Sequence, residues 1–300
     1  MMPRLFFTPI SLVLLAIFPL SAGAAQNDFF PTDYVALPDG NSNIAVYAAN
    51  QTLGGPWKND ANLNYGRVKL NLFAVRASRH FSVGEQGQYT VAPVVVLSAV
   101  DASTSGSLAL TNKPVSGLGD LRLGGAFWFH VDRTNRDYAL ASLLVSLPTG
   151  DYSASQQLNV GENRVKTVLA LGWMKTLDER WVVDLAPEIA YFGDNQQFRI
   201  AGTTKRLSQD VSYALTTNLR YKFTPQWHGY ATVQFNGGGA TQLDGAAYLG
   251  APQNTRVALG TLLFTGENTQ IQLRYAQDLN ANNGFRNDGE LALRWSLLVR

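Results

Sequence analysis

Residues 211–236 read VSYALTTNLRYKFTPQWHGYATVQFN, two alternating runs joined by a short turn at 224–226. In the first run, every second position from Val211 to Phe223 is apolar except Thr217, and polar or small residues lie between them. Successive side chains of a β-strand point to opposite faces, so this run predicts a strand with one apolar and one polar face. The run that starts at Trp227 repeats the pattern and predicts a second strand.

The same alternation predicts twelve strands, near residues 43–50, 67–77, 88–101, 118–131, 138–148, 164–175, 181–192, 210–223, 227–237, 255–265, 269–279 and 289–299. Most are longer than the usual strand of about 5–6 residues. A tilted strand needs about 9–11 residues to cross a bilayer, and a sheet in hydrocarbon must close on itself. The prediction is an all-β, antiparallel up-and-down transmembrane barrel over residues 43–300.

The predicted connections alternate in length. Long ones rich in Gly, Asn, Ser and Asp lie at 51–66, 102–117, 149–163, 193–209, 238–254 and 280–288, with shorter ones at 78–87, 132–137, 176–180, 224–226 and 266–268. Transmembrane barrels have long outer loops and short periplasmic turns, whereas a soluble sandwich has no reason for this alternation. Aromatic residues beside the short turns predict a girdle at the inner membrane boundary, the alternative being a sandwich core: Phe129, Trp173, Trp181, Phe223 and Trp227.

The composition fits this architecture. Only 15% of the residues are Asp, Glu, Lys or Arg, against about 25% in an average soluble domain, because a lipid-facing surface cannot carry charge. A net charge of +2 gives no basic footprint, so no nucleic-acid partner is expected. The chain has no cysteine, which excludes disulfides, thiolate metal sites and a cysteine nucleophile.

Residues 1–25 predict a cleaved secretory signal, with Arg4 as its positive start, an apolar stretch at 5–20 and small residues at 21–25. An uncleaved anchor is the alternative, but about 16 apolar residues with internal prolines are short for a bilayer. Export predicts a location in the outer membrane. Residues 26–42 then form a periplasmic segment, and the sequence leaves open whether this segment enters the barrel as a plug.

Strand parity predicts a set of inward-facing polar side chains: Asp120, Arg122, His130, Lys166, Asp184, Glu188, Arg220, Lys222, His228, Tyr230, Gln234, Gln272, Arg274, Glu290 and Arg294. Seven of these are predicted to line the pore: Arg122, Asp184, Glu188, Arg220, Lys222, Arg274 and Arg294. We place Arg274, Arg294 and Glu188 at its narrowest point. Rings of charge select solutes in pores, whereas charges that only pair with one another fill and rigidify a barrel, and both interpretations remain open.

No catalytic, cofactor or metal site is predicted. His80 and Ser82 have the spacing of an outer-membrane phospholipase pair, but they lie at a predicted inner turn with no evident partner for the histidine. Asp184 and Glu188 stand about 13 Å apart along a strand at roughly 3.3 Å per residue, too far for a glycosidase pair. The three histidines lie on separate strands and have no metal-binding spacing.

Several motifs follow one another in a fixed order: Gly117-Leu-Gly-Asp120, Leu147-Pro-Thr-Gly-Asp-Tyr152, Asn159-Val-Gly-Glu-Asn-Arg164, Asp194-Asn195, Gln209-Asp210, Gly238-Gly-Ala-Thr241, Asp244-Gly245 and Asn254-Thr-Arg-Val257. From about residue 67 to the C terminus, the chain resembles the phenol meta-pathway (MetA-pathway of phenol degradation) family of outer-membrane transporters. The resemblance implies uptake of small hydrophobic or aromatic molecules, with outer-membrane lipid, the solute and the barrel-assembly machinery as partners.

The motif residues predicted to lie in loops or at the rim are Asp120, Pro148, Gly150, Asp151, Glu162, Asn163 and Arg164. They serve either turn geometry or an outer loop that folds in as a gate or first binding site. The chain departs from most outer-membrane barrels at its end, because its last aromatic residue is Trp295 and the assembly machinery reads a terminal aromatic. A structural or plugged barrel and a membrane lipid hydrolase are the alternatives to a transporter.

Overall fold

The computed structural model describes residues 30–33, 35–58, 61–85, 87–132, 137–200 and 202–300. The predicted signal at 1–25 and the side chain of His130 lie outside the described residues. Within these ranges, no helix combines the length and the apolar character needed to cross a membrane.

Twelve long antiparallel strands, numbered β1 to β12 in chain order, form the body of the molecule. Their bounds are Ser42–Lys58, Ala61–Arg79, Tyr89–Thr104, Arg122–Asp132, Asp137–Ser146, Lys166–Thr176, Trp181–Phe192, Ser212–Lys222, Trp227–Gly238, Gln253–Phe264, Thr269–Asn282 and Gly284–Val299. Each strand pairs with the next, and β12 pairs with β1 from Ser42↔Val299 to Trp57↔Gly284, which closes the sheet. Among the described strands of the barrel, closure leaves no unpaired edge, as a spanning sheet requires. The predicted twelve-stranded antiparallel barrel is confirmed.

The two faces of the barrel differ in polarity as the alternation predicts. Along β9, the even-numbered residues from His228 to Asn236 are buried, while Trp227, Val233 and Phe235 are exposed. The outward face carries large apolar side chains around the ring, among them Phe73, Leu97, Leu143, Leu171, Leu215, Leu219, Leu259, Leu273, Leu291 and Leu293. An apolar exterior around a polar interior is the arrangement that lipid requires.

The end of the barrel that holds Ser42 and Val299 is called the short-turn end, and the opposite end the long-loop end. At the short-turn end, Phe129, Trp173, Trp181, Phe223 and Trp227 all lie exposed on the outer surface. Ring contacts link part of this band, with centroids 4.7 Å apart for Trp181–Tyr221, 5.1 Å for Tyr221–Phe223 and 4.5 Å for Phe223–Trp227. The alternative that these aromatics pack a sandwich core is wrong.

The prediction of long loops at 51–66 and 280–288 is wrong. Strand β1 continues to Lys58 and pairs with β2 as far as Lys58↔Ala61, while β11 ends at Asn282 and β12 begins at Gly284. The stretches 51–66 and 280–288 are therefore mostly strand. They were assigned to loops because they are rich in Asn and Gly, but backbone pairing needs no apolar face once a strand has left the hydrocarbon layer.

Three of the other long connections contain short elements of their own. A 3₁₀ helix at Gly106–Leu110 and a strand at Val115–Leu118 lie between β3 and β4. Four further strands, Asn195–Ile200, Thr203–Gln209, Thr241–Leu243 and Ala246–Leu249, form a separate sheet at the long-loop end. At the short-turn end, Phe81–Val83 pairs with the start of β3.

Candidate functional site

The lumen encloses a cavity of about 1040 Å³ that runs along the barrel. Its lining extends from Pro252 and Phe285 at the long-loop end to Pro225 and Asn268 at the short-turn end. This volume is at the upper end of the roughly 300–1,000 Å³ of small-molecule sites in proteins. The lumen is thus the candidate functional site.

The two walls of this cavity differ in character. Strands β2, β3, β5 and β6 contribute mainly apolar side chains: Val68, Leu70, Leu72, Val94, Val96, Val100, Leu140, Leu144 and Val168. Arg76 and Lys166 are charged exceptions on these strands. The opposite arc, β8 to β12, contributes mainly polar and charged ones: Arg220, Lys222, His228, Arg256, Gln270, Arg274, Asp278, Glu290 and Arg294. A solute in the lumen therefore has an apolar surface on one side and hydrogen-bonding groups on the other.

Residues 30–33 and 35–41, called the N-terminal segment, cross the lumen between these walls. Asp33 forms ion pairs with Arg76 of β2 and Arg294 of β12. Ala36 then packs in a buried cluster on the apolar side: Ala92, Trp128, Tyr138, Leu140, Met174, Val182 and Ala186. At the short-turn end, Gly40 donates its N–H to the His80 carbonyl, which ties the segment to the barrel rim.

Phe30 occupies a pocket on the polar wall and is only 2% exposed. The guanidinium carbon of Arg274 lies 4.3 Å from its ring centroid, and the Tyr47 ring centroid lies 5.8 Å away. Gln272 Nε2 donates a hydrogen bond of 3.0 Å to the neighbouring Pro31 carbonyl. A guanidinium over an aromatic face is a favourable cation–π contact, stronger where water is excluded.

Asp33 carries the charge that neutralises this pocket. Its Oδ1 lies 3.0 Å from Arg294 Nη2 and also accepts a hydrogen bond from Arg76. Its Oδ2 accepts the Phe30 N–H at 3.1 Å. Burial favours the neutral acid, but the two guanidinium groups and the Phe30 N–H outweigh it and lower the pKa of Asp33.

The structure brings some of the predicted pore residues together and separates others. Arg274 pairs with Glu290 at 2.6 Å and shares the Phe30 ring with Arg294. Glu188, predicted at the same constriction, is buried on β7 opposite Ala214 in register. Within the described part of the chain, the cavity wall includes Arg122, Arg220, Lys222, Arg274 and Arg294, and it does not include Asp184 or Glu188.

The remaining inward residues lie where parity predicts. Those buried on the inner face are Lys166, Asp184, Glu188, His228, Tyr230, Gln234, Gln272 and Glu290. Asp120 and Arg122 line the cavity toward the long-loop end. His80 contacts Ser78 Oγ at 3.2 Å and packs on Trp128, whereas Ser82 is exposed, so the spacing of His80 and Ser82 does not produce a pair.

Asp120 holds together the rim at the long-loop end. Its two carboxylate oxygens accept the N–H groups of Gly150 and Glu162, each at 2.9 Å. A Cβ on Gly150 would lie 2.7 Å from the Asp120 nitrogen, so glycine is needed for this close approach. Burial raises the pKa of Asp120, although the two N–H donors act in the opposite direction. In the same rim, Asp151 Oδ2 accepts the Leu118 N–H at 2.7 Å.

The connection at 147–165 folds over the mouth of the barrel. Arg164 donates to Glu162 Oε2 from Nε at 2.9 Å and Nη2 at 2.7 Å, and its guanidinium lies 4.7 Å from the Phe192 centroid. Leu158 of this connection is buried against the inward side chains of Val68 and Leu70. Of the other predicted rim residues, Asn163 donates to Asn195 at 3.0 Å, and Pro148 is exposed outside the cluster.

Several lumen residues were not singled out from the sequence. Arg76 and Arg256 lie at inward positions of β2 and β10, so the parity rule could have found both. Phe30 and Asp33 precede the first strand, where no periodicity operates. Their role becomes visible only through their contacts.

The chain matches known outer-membrane proteins over nearly its whole length. The COG4313 outer membrane channel from Pseudomonas putida F1 is 27% identical, with a TM-score of 0.85 over 91% of this chain and 100% of that chain. The transport unit of the autotransporter AIDA-I from Escherichia coli (8% identical, TM-score 0.56, 92% and 94% covered) shares the fold alone. So does the translocator domain of NalP from Neisseria meningitidis (12%, 0.54, 88% and 89%).

No curated protein sequence matches the chain. The family model described as "Putative MetA-pathway of phenol degradation" matches residues 42–295. This match begins at the first residue of β1 and ends within β12, so it covers the whole barrel. The resemblance noted in the sequence motifs is confirmed, and the protein belongs to this family of outer-membrane barrels.

Proposed function

We propose that this protein is an outer-membrane channel for the uptake of small hydrophobic or aromatic molecules. The observation that carries the proposal is the cavity along the barrel, which has a mainly apolar wall on β2, β3, β5 and β6 and a mainly polar wall on β8 to β12. An apolar solute would follow the first wall while water occupies the second. The similarity to an outer membrane channel and the family's link to phenol degradation support the same proposal.

The N-terminal segment acts as the plug of this channel in our proposal. It contacts opposite walls through Asp33 and Ala36, so it obstructs the path in the half of the barrel nearer the short-turn end. Transport then requires the segment to move toward the short-turn end, where residues 39–41 are attached. Cleavage of residues 1–25 as a secretory signal would leave the segment to enter the barrel from the periplasmic side.

Uptake by proteoliposomes tests the proposal. The chain from residue 26 onward is reconstituted, and entry of labelled aromatic and aliphatic solutes of matched size is compared with entry into protein-free vesicles. We expect the wild-type protein to accelerate entry of the aromatic solutes more than entry of the aliphatic ones. The Asp33→Asn variant should increase the rate of aromatic entry further. If neither wild type nor variant exceeds protein-free vesicles, the barrel does not transport these solutes. Lipid hydrolysis in the same vesicles would support a hydrolase instead.

A further inference from the structure

We propose that the lumen holds a binding site for aromatic carboxylates, which the N-terminal segment fills with its own Phe30 and Asp33. The two side chains present a benzene ring and a carboxylate to one group of barrel residues. The site itself consists of Arg76, Tyr47, Gln272, Arg274 and Arg294. Its use in uptake rests on the proposed channel function, whereas its chemistry follows from the contacts.

The ring half of the site is a cation–π clamp. The guanidinium carbons of Arg274 and Arg294 lie 4.3 Å and 5.9 Å from the Phe30 centroid, and the Tyr47 ring lies 5.8 Å from it. These contacts use the π face of the ring, so they favour an aromatic group over a saturated ring of similar volume. The recognised part of a ligand is therefore an aryl group.

The carboxylate half is formed by two arginines on different strands. Asp33 accepts a hydrogen bond from Arg76 of β2 and forms an ion pair with Arg294 of β12, and its side chain is 2% exposed. Charge-assisted hydrogen bonds of this kind are roughly twice as strong as neutral ones. When the segment leaves, two guanidinium groups in a confined space lose their counter-charge, and an anion is the group that best replaces Asp33.

The inference follows from the joining of these two halves, because Arg294 contacts both the ring and the carboxylate. An arylalkanoate presents the same two groups in one small molecule. Such a ligand and the segment cannot occupy the site together, so ligand binding favours release of the segment. By thermodynamic reciprocity, release of the segment favours ligand binding by the same factor.

The chain offers a direct test because it contains no cysteine. Ala36 lies buried across the lumen from the site, so the thiol of an Ala36→Cys variant reacts with a soluble reagent only when the segment has moved. We expect 3-phenylpropanoate to accelerate this labelling in the full mature chain. Two matched compounds, 3-phenylpropanamide without the charge and 3-cyclohexylpropanoate without the π face, are expected to leave the rate unchanged.

Binding of 3-phenylpropanoate is then titrated against three variants. Asp33→Asn should bind roughly a hundredfold more tightly than wild type, because the apparent affinity is proportional to the fraction of molecules whose site is free of the segment. Arg294→Gln should lose binding, and Arg76→Gln serves in its place if that variant does not fold. Arg199→Gln, at an exposed position of the separate sheet at the long-loop end, should bind as wild type does.

The proposed site would be overturned if 3-phenylpropanamide accelerated the labelling as much as 3-phenylpropanoate does. It would also be overturned if wild type and Asp33→Asn bound 3-phenylpropanoate with equal affinity. The site and the channel function fail in different ways. Uptake of aromatic solutes without competitive binding of 3-phenylpropanoate would leave the channel standing and refute the site. Competitive binding without uptake in proteoliposomes would leave the site standing and refute the channel function.

Discussion

Asp33, which precedes the first strand, and Arg294 on the last strand form a buried ion pair, with Asp33 Oδ1 and Arg294 Nη2 3.0 Å apart and both side chains 2% exposed. One partner belongs to the N-terminal segment and the other to the barrel wall. Removing one partner of a buried pair costs about 3–5 kcal/mol, since the other charge remains without compensation. The position of the segment therefore depends strongly on this contact.

Asp33→Asn should open the channel. Asparagine keeps the size of the side chain but removes the charge between Arg76 and Arg294. A loss of about 3 kcal/mol would raise the open population by roughly two orders of magnitude. Single-channel recording in planar bilayers measures this as more frequent and longer openings. Glu267→Gln, which neutralises an acid of the cavity wall at the short-turn end, is the control, and equal behaviour of the two variants would refute a role for the ion pair.

The N-terminal segment should keep the channel closed in mildly acidic solution. The arginines lower the pKa of Asp33 against the effect of its burial. A carboxylate with a lowered pKa stabilises the closed position fully when the pH is above the ordinary pKa of about 3.9. This stabilisation is lost only as the pH falls through the lowered pKa. Bilayer conductance should therefore stay constant from pH 7 to 5 and rise only below about pH 4. A rise centred near pH 6 would show that another group controls closure.

The barrel and the orientation of its side chains could be predicted from the sequence because both follow from a local rule. Period-two alternation places Lys166, Arg220 and Arg274 inward and Leu219 outward without knowledge of any distant residue. The same rule failed at 51–66 and 280–288, where strands continue with polar residues on both faces. In those stretches composition no longer distinguishes strand from loop.

The plug and the rim could not be predicted because they depend on contacts between distant residues. Nothing near Asp33 in the sequence indicates that Arg76 and Arg294 converge on it, since closure of the barrel brings those strands together. In the sequence, Asp120 and Glu162 belong to two separate motifs, at residues 117–120 and 159–164, and nothing in either motif indicates that they are in contact. Their hydrogen bond shows that the motifs form one structure at the rim.

Asp120→Asn should loosen the loop over the barrel mouth. The two oxygens of Asp120 accept N–H groups from Gly150 and Glu162, and an amide would direct its own NH₂ group at one of these donors. The expected cost is about 1–3 kcal/mol, confined to 147–165. Faster amide hydrogen exchange at Gly150 and Glu162 measures it. Asp210→Asn, at an exposed loop position, is the control, and unchanged exchange at both amides would contradict the role of Asp120.

Gly260→Ala should destabilise the barrel from the inside. The Tyr230 ring lies over Gly260 on the neighbouring strand, and an added Cβ would approach its Cζ to 2.3 Å. The buried ring must then rotate or the strands must separate, which costs about 1–3 kcal/mol in a packed interior. Urea unfolding of the folded barrel measures the change. Gly284→Ala, whose added Cβ meets Pro252 at an ordinary 3.6 Å, should be close to neutral; equal losses for both variants would exclude the clash as the cause.

Leu259→Arg distinguishes a lipid-facing surface from a water-exposed one. Leu259 is 70% exposed in the middle of β10, and Leu110 is 86% exposed on the 3₁₀ helix at the long-loop end. In water either arginine would be harmless, but an arginine facing the middle of the bilayer destabilises a barrel by about 2–4 kcal/mol. We therefore expect Leu259→Arg, and not Leu110→Arg, to lower the free energy of unfolding in lipid vesicles. Matching values for the two variants would mean that β10 does not face lipid at this depth.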